Sequence, residues 1–127
     1  MAKKIIYTKD APAPIGAYNQ AVLVAGTLYV SGQIAIDSQT GNFIQDSIEA
    51  ETEQVMKNLA AVLKAADMGF EQVVKCSIFI KNMDNFARIN EVYGRYFNQN
   101  APARETVEVS RLPKDAQVEI SCIATAN

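Results

Sequence analysis

The feature that most restricts the fold of this chain is a change in the spacing of its apolar residues. Between residues 46 and 68 the apolar side chains recur on one stripe of a helix, whereas the runs before and after alternate with the period of a strand. A helix with one apolar stripe and strands with one apolar face bury those surfaces against each other. The pattern therefore predicts an α+β domain in which helices pack on a sheet.

The ends of the two predicted helices carry recognisable signals. Asp46 or Ser47 is suited to cap the first turn of the long helix, and Gly69 is suited to follow its last turn. A second amphipathic helix is predicted over residues 83–100, with Asp84 as its N-cap.

The predicted strands are short and are bounded by turn-forming residues. They cover residues 3–8, 19–25, 28–34, 70–81 and two runs within 102–120. Gly26-Thr27 is predicted to form the turn between the second and third strands, and the last two runs are predicted to form a hairpin. The prolines and the glycine of residues 10–18 predict an extended loop. The order β-β-β-α-β-α-β-β makes one domain of residues 1–127.

Both helices are predicted to cover the same face of one sheet, which leaves the other face open. In the strand at 70–81, alternation assigns Val74, Cys76, Ile78 and Ile80 to the covered face and Val73, Ser77 and Phe79 to the open face. The final strand presents to the open face either Val118, Ile120 and Cys122 or Glu119, Ser121 and Ile123. A half-apolar face without cover is an association surface, so we expect a homo-oligomer with rotational symmetry.

Composition argues against several kinds of site. The 14 acidic and 12 basic residues give a net charge of −2, which disfavours nucleic acid held by general electrostatic attraction. The sequence has no histidine, which is the usual base near neutral pH and the commonest metal ligand. We find no metal-binding or phosphate-binding motif and expect neither a metal nor a cofactor. We recognise no signal sequence or membrane-spanning run, and expect a cytoplasmic protein in which Cys76 and Cys122 are buried free thiols.

Arg104 stands where the loop after the second helix enters the next apolar run. One interpretation is a surface arginine that caps carbonyl groups or pairs with a neighbouring acid. The other is recognition of an anion, because a guanidinium offers a planar fork of donors that fits a carboxylate. Alternation places Arg104, Thr106 and Glu108 on one face of their strand.

Glu119 lies between Val118 and Ile120 in the final run. On a solvated face it would be an ordinary outward-facing glutamate. Under a partner subunit it would be a buried carboxylate, which has to be paired or hydrogen-bonded. Desolvation would then raise its pKa and a neighbouring cation would lower it, so Glu119 would either bind an arginine or transfer protons.

Four further residues are candidates for a ligand site, each with a structural alternative. Tyr18 either plugs an edge of the core or donates its hydroxyl to a ligand. Ser31 and Gly32 either form a bulge or turn, or let a ligand approach bare backbone N–H groups. Asn90 is interpreted as a buried amide that ties the second helix to the sheet.

Four segments together resemble the RidA/YjgF family of reactive-intermediate deaminases. They are IGAY (15–18), VSGQI (30–34), FARINEVY (86–93) and PARETVEVSRLPKDAQVEI (102–120). The last segment is the most specific, because Pro, Arg, Val-Glu-Val, Arg-Leu-Pro-Lys-Asp and Glu occur there in order. The resemblance runs from about residue 3 to residue 125.

The resemblance implies a chorismate-mutase-like fold, a single mixed β-sheet with two helices on one face, assembled as a homotrimer with ligand clefts between subunits. It implies hydrolysis of 2-iminobutanoate and 2-iminopropanoate to 2-oxo acids and ammonia. Carried over by position, Arg104 would bind the substrate carboxylate. Glu119 would activate the attacking water or manage the proton on the imine nitrogen. The cleft would also include Tyr18, Ser31, Gly32, Asn90 and the backbone around Thr106.

The chain departs from the family pattern at two positions. Many members have PARSCVEV, so Glu105 replaces a serine and Thr106 replaces a cysteine. A thiol nucleophile is therefore absent at this position, but water with one general base suffices because an imine carbon is already electrophilic. General acid–base catalysis contributes about 10²–10⁴-fold. A non-enzymatic regulator or chaperone-like protein that binds a small carboxylate is the alternative, whereas the acidic composition counts against a nuclease.

Overall fold

The computed structural model describes residues 2–126 and contains one mixed six-stranded sheet and two α-helices. The strands are β1 (Lys4–Ile6), β2 (Ala21–Val24), β3 (Thr27–Gln33), β4 (Val73–Ile80), β5 (Ala103–Glu108) and β6 (Val118–Thr125). The helices are α1 (Ile48–Ala65) and α2 (Phe86–Gly94). In the sheet the order is β1-β2-β3-β6-β4-β5, with β4 and β5 parallel and the other neighbours antiparallel. The α+β class predicted from the sequence is confirmed.

The core lies between one face of this sheet and the helices. Val30, Cys122 and Cys76 are directly paired across β3, β6 and β4, and all three are buried. The apolar stripe of α1, including Leu59 and Val62, packs in the same cluster. Because the buried side chains of the central strands share one face, both helices cover that face, as predicted. Each buried side chain of this size contributes about 1.5–3 kcal/mol relative to its exposed state.

The opposite face of the sheet is open and half apolar, as the alternation predicted. Exposed apolar side chains on it include Tyr29 on β3 and Val107 on β5, with exposed fractions of 49% and 40%. In β6 the helices cover Val118, Ile120, Cys122 and Ala124, so Glu119, Ser121 and Ile123 belong to the open face. This resolves the alternative that the sequence left open. The homo-oligomer expected from this face stays a prediction.

The predicted C-terminal hairpin is wrong, because β5 and β6 do not pair. β4 lies between them and is parallel to β5 and antiparallel to β6. The connecting segment passes the end of β4, where Val109 N–H donates to the Ile80 carbonyl and Lys81 N–H donates to the Gln117 carbonyl. Alternation of side chains specifies a strand but does not identify its neighbour.

Two local predictions also fail for reasons of backbone geometry. A register shift between Val73 and Lys75 inserts an extra residue, so Val73 is buried and Val74 is 47% exposed, the reverse of the prediction. The turn between β2 and β3 is formed by Ala25-Gly26, not Gly26-Thr27, with φ of 52° and 79°. Positive φ at both central residues is what a two-residue turn between twisted strands requires.

The helices are shorter than the sequence predicted. Ser47 caps α1 by accepting from Ala50 N–H at 3.0 Å, as expected, but Asp67 rather than Gly69 takes the left-handed conformation after its last turn, with φ of 58°. A 3₁₀ turn precedes α2. Asn82, rather than the predicted Asp84, caps this 3₁₀ turn. Beyond Gly94 the chain continues in tight turns.

One other prediction concerns burial. Cys76 and Cys122 are buried free thiols, which confirms their interpretation. Within residues 2–126 no helix has the length and apolar character needed to cross a membrane.

Candidate functional site

A cleft of about 520 Å³ lies at one end of the open sheet face. Its walls come from the proline-containing loop of residues 10–18, the end of β3 and the turn before β6. Four of the seven predicted site residues line it, namely Tyr18, Ser31, Gly32 and Glu119. We call this feature the acid cleft.

Glu119 lies directly over Gly32. A Cβ atom built on Gly32 would stand 2.0 Å from Glu119 Oε2, so any other residue at position 32 would displace the carboxylate. Ser31 and Gly32 form a bulge, because three steps along β3 from Val30 to Gln33 oppose two steps along β6. The bulge interpretation of these residues is therefore correct, and the bulge holds space for the Glu119 carboxylate.

The Glu119 carboxyl is half-buried, and burial raises its pKa above the ordinary value. Within residues 2–126 no lysine or arginine forms an ion pair with it. A carboxylate with a raised pKa and no paired cation is a better proton acceptor than an ordinary surface glutamate. Glu119 can therefore take a proton from a molecule in the acid cleft.

Buried polar side chains hold the walls of the acid cleft from below. Gln20 donates from Nε2 to the carbonyls of Thr8, Ala11 and Pro12 and accepts from Thr8 N–H, which fixes the start of the loop. Asn58 on α1 donates to the carbonyls of Ile34 and Ile36, each at 3.0 Å.

Glu51 on α1 fixes the third wall. It is 2% exposed and accepts from Gln117 N–H at 2.7 Å, two residues before Glu119. Burial raises its pKa, while hydrogen bonds from the backbone of Gln117 and Val118 oppose that change.

Tyr18 and Ser31 present polar atoms along the acid cleft. Tyr18 is 50% exposed, and its hydroxyl accepts from Ile15 N–H at 3.3 Å, so it does not plug the core. Ser31 Oγ donates to the Asn19 carbonyl at 2.6 Å. The Tyr18 hydroxyl hydrogen remains free to donate to a ligand.

Arg104, Asn90 and Thr106, the other three predicted residues, form a second group outside the acid cleft. Arg104 Nη1 donates to Asn90 Oδ1 at 2.6 Å, and its guanidinium lies 5.5 Å from the ring centre of Phe86 and 5.1 Å from that of Tyr93. These contacts hold the guanidinium against aromatic rings, and the side chain as a whole is exposed. We call this group the arginine site.

The arginine site also corrects the interpretation of Asn90. Asn90 is exposed rather than buried, although it does link α2 to β5 through Arg104. Within residues 2–126 no carboxylate forms an ion pair with Arg104. The guanidinium therefore keeps donors for an external anion.

Thr106 and Glu105, which replace the family's cysteine and serine, differ in their surroundings. Thr106 Oγ1 is buried without a hydrogen-bond partner among residues 2–126 and lies beside Arg104. Glu105 lies on the open face, where it accepts from Ser77 Oγ and pairs with Lys75 at 3.0 Å. These contacts lower the pKa of the Glu105 carboxyl and keep it away from the face that carries Arg104.

The two groups lie on opposite faces of the sheet. Glu119 is paired with Phe79, which is paired with Val107, on the open face. Arg104 is paired with Cys76, which belongs to the face covered by the helices. One copy of the chain therefore cannot bring the carboxylate and the guanidinium to one small ligand.

Gln20 and Lys114 are among the acid-cleft residues that sequence reasoning missed. Gln20 was read as part of a strand, although prolines nearby lack N–H groups and leave carbonyls that need an outside donor. Lys114 lines the cleft from the turn before β6, and its role depends on a backbone conformation that no sequence pattern indicated. Within residues 2–126 no three potential metal ligands converge.

Comparison with known proteins gives concordant matches along almost the whole chain. The family described as Endoribonuclease L-PSP matches residues 8–126. A RutC family protein of Synechocystis sp. is 51% identical over 126 residues, covering 98% of this chain and 97% of that protein. The 2-iminobutanoate/2-iminopropanoate deaminase of Rattus norvegicus is 45% identical over 122 residues, covering 96% and 89%. The crystal structure of E. coli TdcF with bound serine superposes with a TM-score of 0.94 at 36% identity, covering 98% and 99% of the two chains.

Proposed function

Since the chain belongs to the Endoribonuclease L-PSP family, also called the YjgF/RidA family, we propose that it is a deaminase of reactive 2-imino acids. The proposed substrates are 2-iminobutanoate and 2-iminopropanoate, which it hydrolyses to 2-oxo acids and ammonia. The rat relative that carries this activity in its name supports the reaction. The observation that carries the proposal is the unpaired, half-buried carboxylate of Glu119, held over Gly32 in the acid cleft.

The complete site is formed between copies of the chain. Because Glu119 and Arg104 occupy opposite faces of one sheet, a site that uses both needs Glu119 from one copy and Arg104 from another. The open half-apolar face supplies a surface for that association. A ring of copies closed by rotational symmetry repeats such a contact, and the homotrimer implied by the family resemblance is the arrangement we propose.

Arg104 binds the carboxylate of the substrate. A guanidinium–carboxylate contact is charge-assisted and contributes about 1.5–3 kcal/mol. The rings of Phe86 and Tyr93 and the amide of Asn90 restrict the guanidinium before the substrate arrives. Thr106 lies beside Arg104, and its backbone contributes hydrogen bonds to the same carboxylate.

Glu119 carries the proton transfers. It takes a proton from water as the water oxygen attacks the electrophilic carbon of the protonated imine, which gives a carbinolamine. Glu119 then returns the proton to the amine nitrogen, the carbon–nitrogen bond breaks, and ammonia leaves. Loss of the hydroxyl proton completes the 2-oxo acid. Tyr18, Ser31 and Gly32 line the cleft, and no thiol is required at position 106.

The proposed compartment is the cytoplasm. The activity is tested by measuring ammonia release from the imine that threonine dehydratase produces. Wild-type protein should accelerate ammonia release over buffer, and Arg104→Ala should raise the KM by about 10–150-fold, the loss expected for a charge-assisted contact. Thermal unfolding of the variant should match that of the wild type, because the Arg104 side chain is exposed. Full activity of Arg104→Ala would remove the proposed mechanism.

Sharing of the site between copies has its own test. At substrate concentrations well below the KM of Arg104→Ala, that variant and Glu119→Gln are each expected to show only a small fraction of the wild-type activity alone. Assemblies refolded from an equal mixture should recover about a quarter of the wild-type activity, because random association gives that share of contacts with both residues intact. No recovery in mixed assemblies would contradict a shared site.

A second candidate is a protein that binds a small carboxylate without transforming it. The structure of TdcF with bound serine, an amino acid, favours this alternative, as does the replacement of the family's cysteine by Thr106. The same assay separates the two, because a binding protein would bind 2-oxobutanoate by calorimetry without accelerating ammonia release. The family's description names an endoribonuclease. The sequence shows no stripe of basic residues for binding a nucleic acid, and its net charge is −2.

A further inference from the structure

A second groove, which we call the outer groove, shares part of its wall with the acid cleft. The outer groove encloses about 460 Å³ and shares five residues with the acid cleft, which are Pro12, Ala13, Ile15, Ile36 and Lys114. Four of the five shared residues are apolar, and Lys114 is charged. Glu119 and Lys114 therefore line the same cleft, and Lys114 also lines the outer groove.

The acid cleft is larger than a short imino acid requires. Cavities of about 300–1,000 Å³ hold drug-sized ligands, and the acid cleft alone encloses about 520 Å³. 2-Iminobutanoate, with a side chain of two carbons, is smaller than the ligands that cavities of this size hold. The volume fits a substrate with a longer side chain.

Lys114 supplies a positive charge at the wall that the two grooves share. It is exposed, and no ion pair within residues 2–126 involves it. Lys9 lines the outer groove beyond it. Two lysines along an otherwise largely apolar path attract an anionic end group.

The backbone at Lys114 is strained in a way that a glycine would relieve. Lys114 and Asp115 are consecutive non-glycine residues with φ of 56°, in the left-handed region. Such a conformation is less favourable for a residue with a Cβ atom than for glycine. Hydrogen bonds from Asp115 N–H to the Leu112 carbonyl and an Arg111–Asp115 ion pair of 2.7 Å hold the turn. Residues held in such conformations cluster at functional sites.

We propose that Lys114 forms a distal anion subsite, and that the acid cleft takes 2-imino acids with a second carboxylate at the end of the side chain. This inference rests on the proposed deaminase function for its chemistry, with C2 of the substrate at Glu119 and the distal carboxylate at Lys114. The substrate class is the imines of dicarboxylic amino acids, in addition to the short monocarboxylic imines.

The test compares two product analogues that differ in the distal group. 2-Oxoglutarate and 2-oxopentanoate have the same number of carbons, and only 2-oxoglutarate has a carboxylate at C5. Their dissociation constants are measured by calorimetry for the wild type, for Lys114→Gly, and for Lys64→Gln as a control. Glycine suits the left-handed backbone, so Lys114→Gly is expected to fold. Lys64 is exposed on α1, and its replacement changes the net charge by the same amount.

The affinity for 2-oxoglutarate relative to 2-oxopentanoate should fall about fivefold in Lys114→Gly, the ratio that corresponds to about 1 kcal/mol. Lys64→Gln should leave that ratio at the wild-type value. An unchanged ratio in Lys114→Gly, or an equal fall in both variants, overturns the subsite. Ammonia release from the imine of glutamate and from 2-iminobutanoate is measured in parallel. If neither imine is hydrolysed faster than in buffer while the binding ratio falls in Lys114→Gly, the deaminase proposal fails and the subsite stands.

Discussion

The replacement of Gly32 by alanine tests the proposed active site through a single added methyl group. The new Cβ would lie 2.0 Å from Glu119 Oε2, 2.9 Å from Cδ and 3.0 Å from Cγ. Ordinary contact begins at 3.4 Å, so the carboxylate oxygen has to move by about 1.4 Å. A misplacement of about 1 Å at a reacting group lowers the rate by about 10²-fold. We therefore expect Gly32→Ala to lower kcat about 100-fold.

The same variant should be at least as stable as the wild type. The φ of Gly32 is not in the left-handed region, so alanine fits the backbone. Glu119 can turn away because its carboxylate is the end of a flexible side chain. The loss of freedom in the unfolded chain then stabilises the folded protein by about 0.4–1 kcal/mol. Urea unfolding, together with ammonia release from the dehydratase product, measures both effects.

Gly69→Ala is the matched control for this prediction. A Cβ on Gly69 would stand 2.0 Å from the carboxylate oxygen of Glu71, and Gly69 likewise has no left-handed φ. Both residues lie in the turn before β4, outside the acid cleft and the arginine site. Gly69→Ala should keep wild-type activity. Wild-type kcat in Gly32→Ala would show that the position of the Glu119 carboxylate does not set the rate.

Two further predictions concern the carboxylates. Burial raises the pKa of Glu119 above its ordinary value of 4.5, so the folded protein binds this proton more tightly than the unfolded chain. The resulting stability is present below pH 4.5 and is lost as the pH rises through the folded pKa. Glu119→Gln, which stays neutral, should therefore gain stability relative to the wild type in urea as the pH rises from about 4 to about 7. The same replacement should lower kcat by about 10²–10⁴-fold. A stability difference that does not vary with pH would contradict the raised pKa. Glu51→Ala leaves the N–H of Gln117 without its acceptor and should lower the free energy of unfolding by about 1–3 kcal/mol. It should also lower kcat, because Gln117 lies two residues before Glu119, whereas unchanged stability and activity would exclude a role for Glu51 in holding the cleft.

The predictions from the sequence were most accurate where the physical cause is local. The stripe of α1 and the alternation of β4 each reflect the repeat of one element, so the helices, most strand positions and the open sheet face were predictable. Ser47 as a cap depends on the residues next to it and was also predicted. Helix ends and turns were less accurate, because Ala25 takes a left-handed conformation that its side chain does not favour and Asp67 takes one for which glycine was expected.

The sequence also identified the chemical groups of the candidate site. The guanidinium of Arg104 and the carboxylate of Glu119 follow from residue type alone. These two residues became candidates for the site because they are charged residues placed at or within apolar runs. Their contribution to activity stays a prediction. The residues that hold the cleft, such as Gln20 and Glu51, were not identified, because their partners are backbone groups of distant segments.

Apolar spacing along the chain is sufficient to specify the α+β class, the two amphipathic helices and one open sheet face. The position of β4 between β5 and β6 is known from the folded structure alone. The register of these pairings places Arg104 and Glu119 on opposite faces and separates them into two groups. Strand order is decided by pairing between segments distant in the chain, and a periodicity within one segment carries no information about its neighbour.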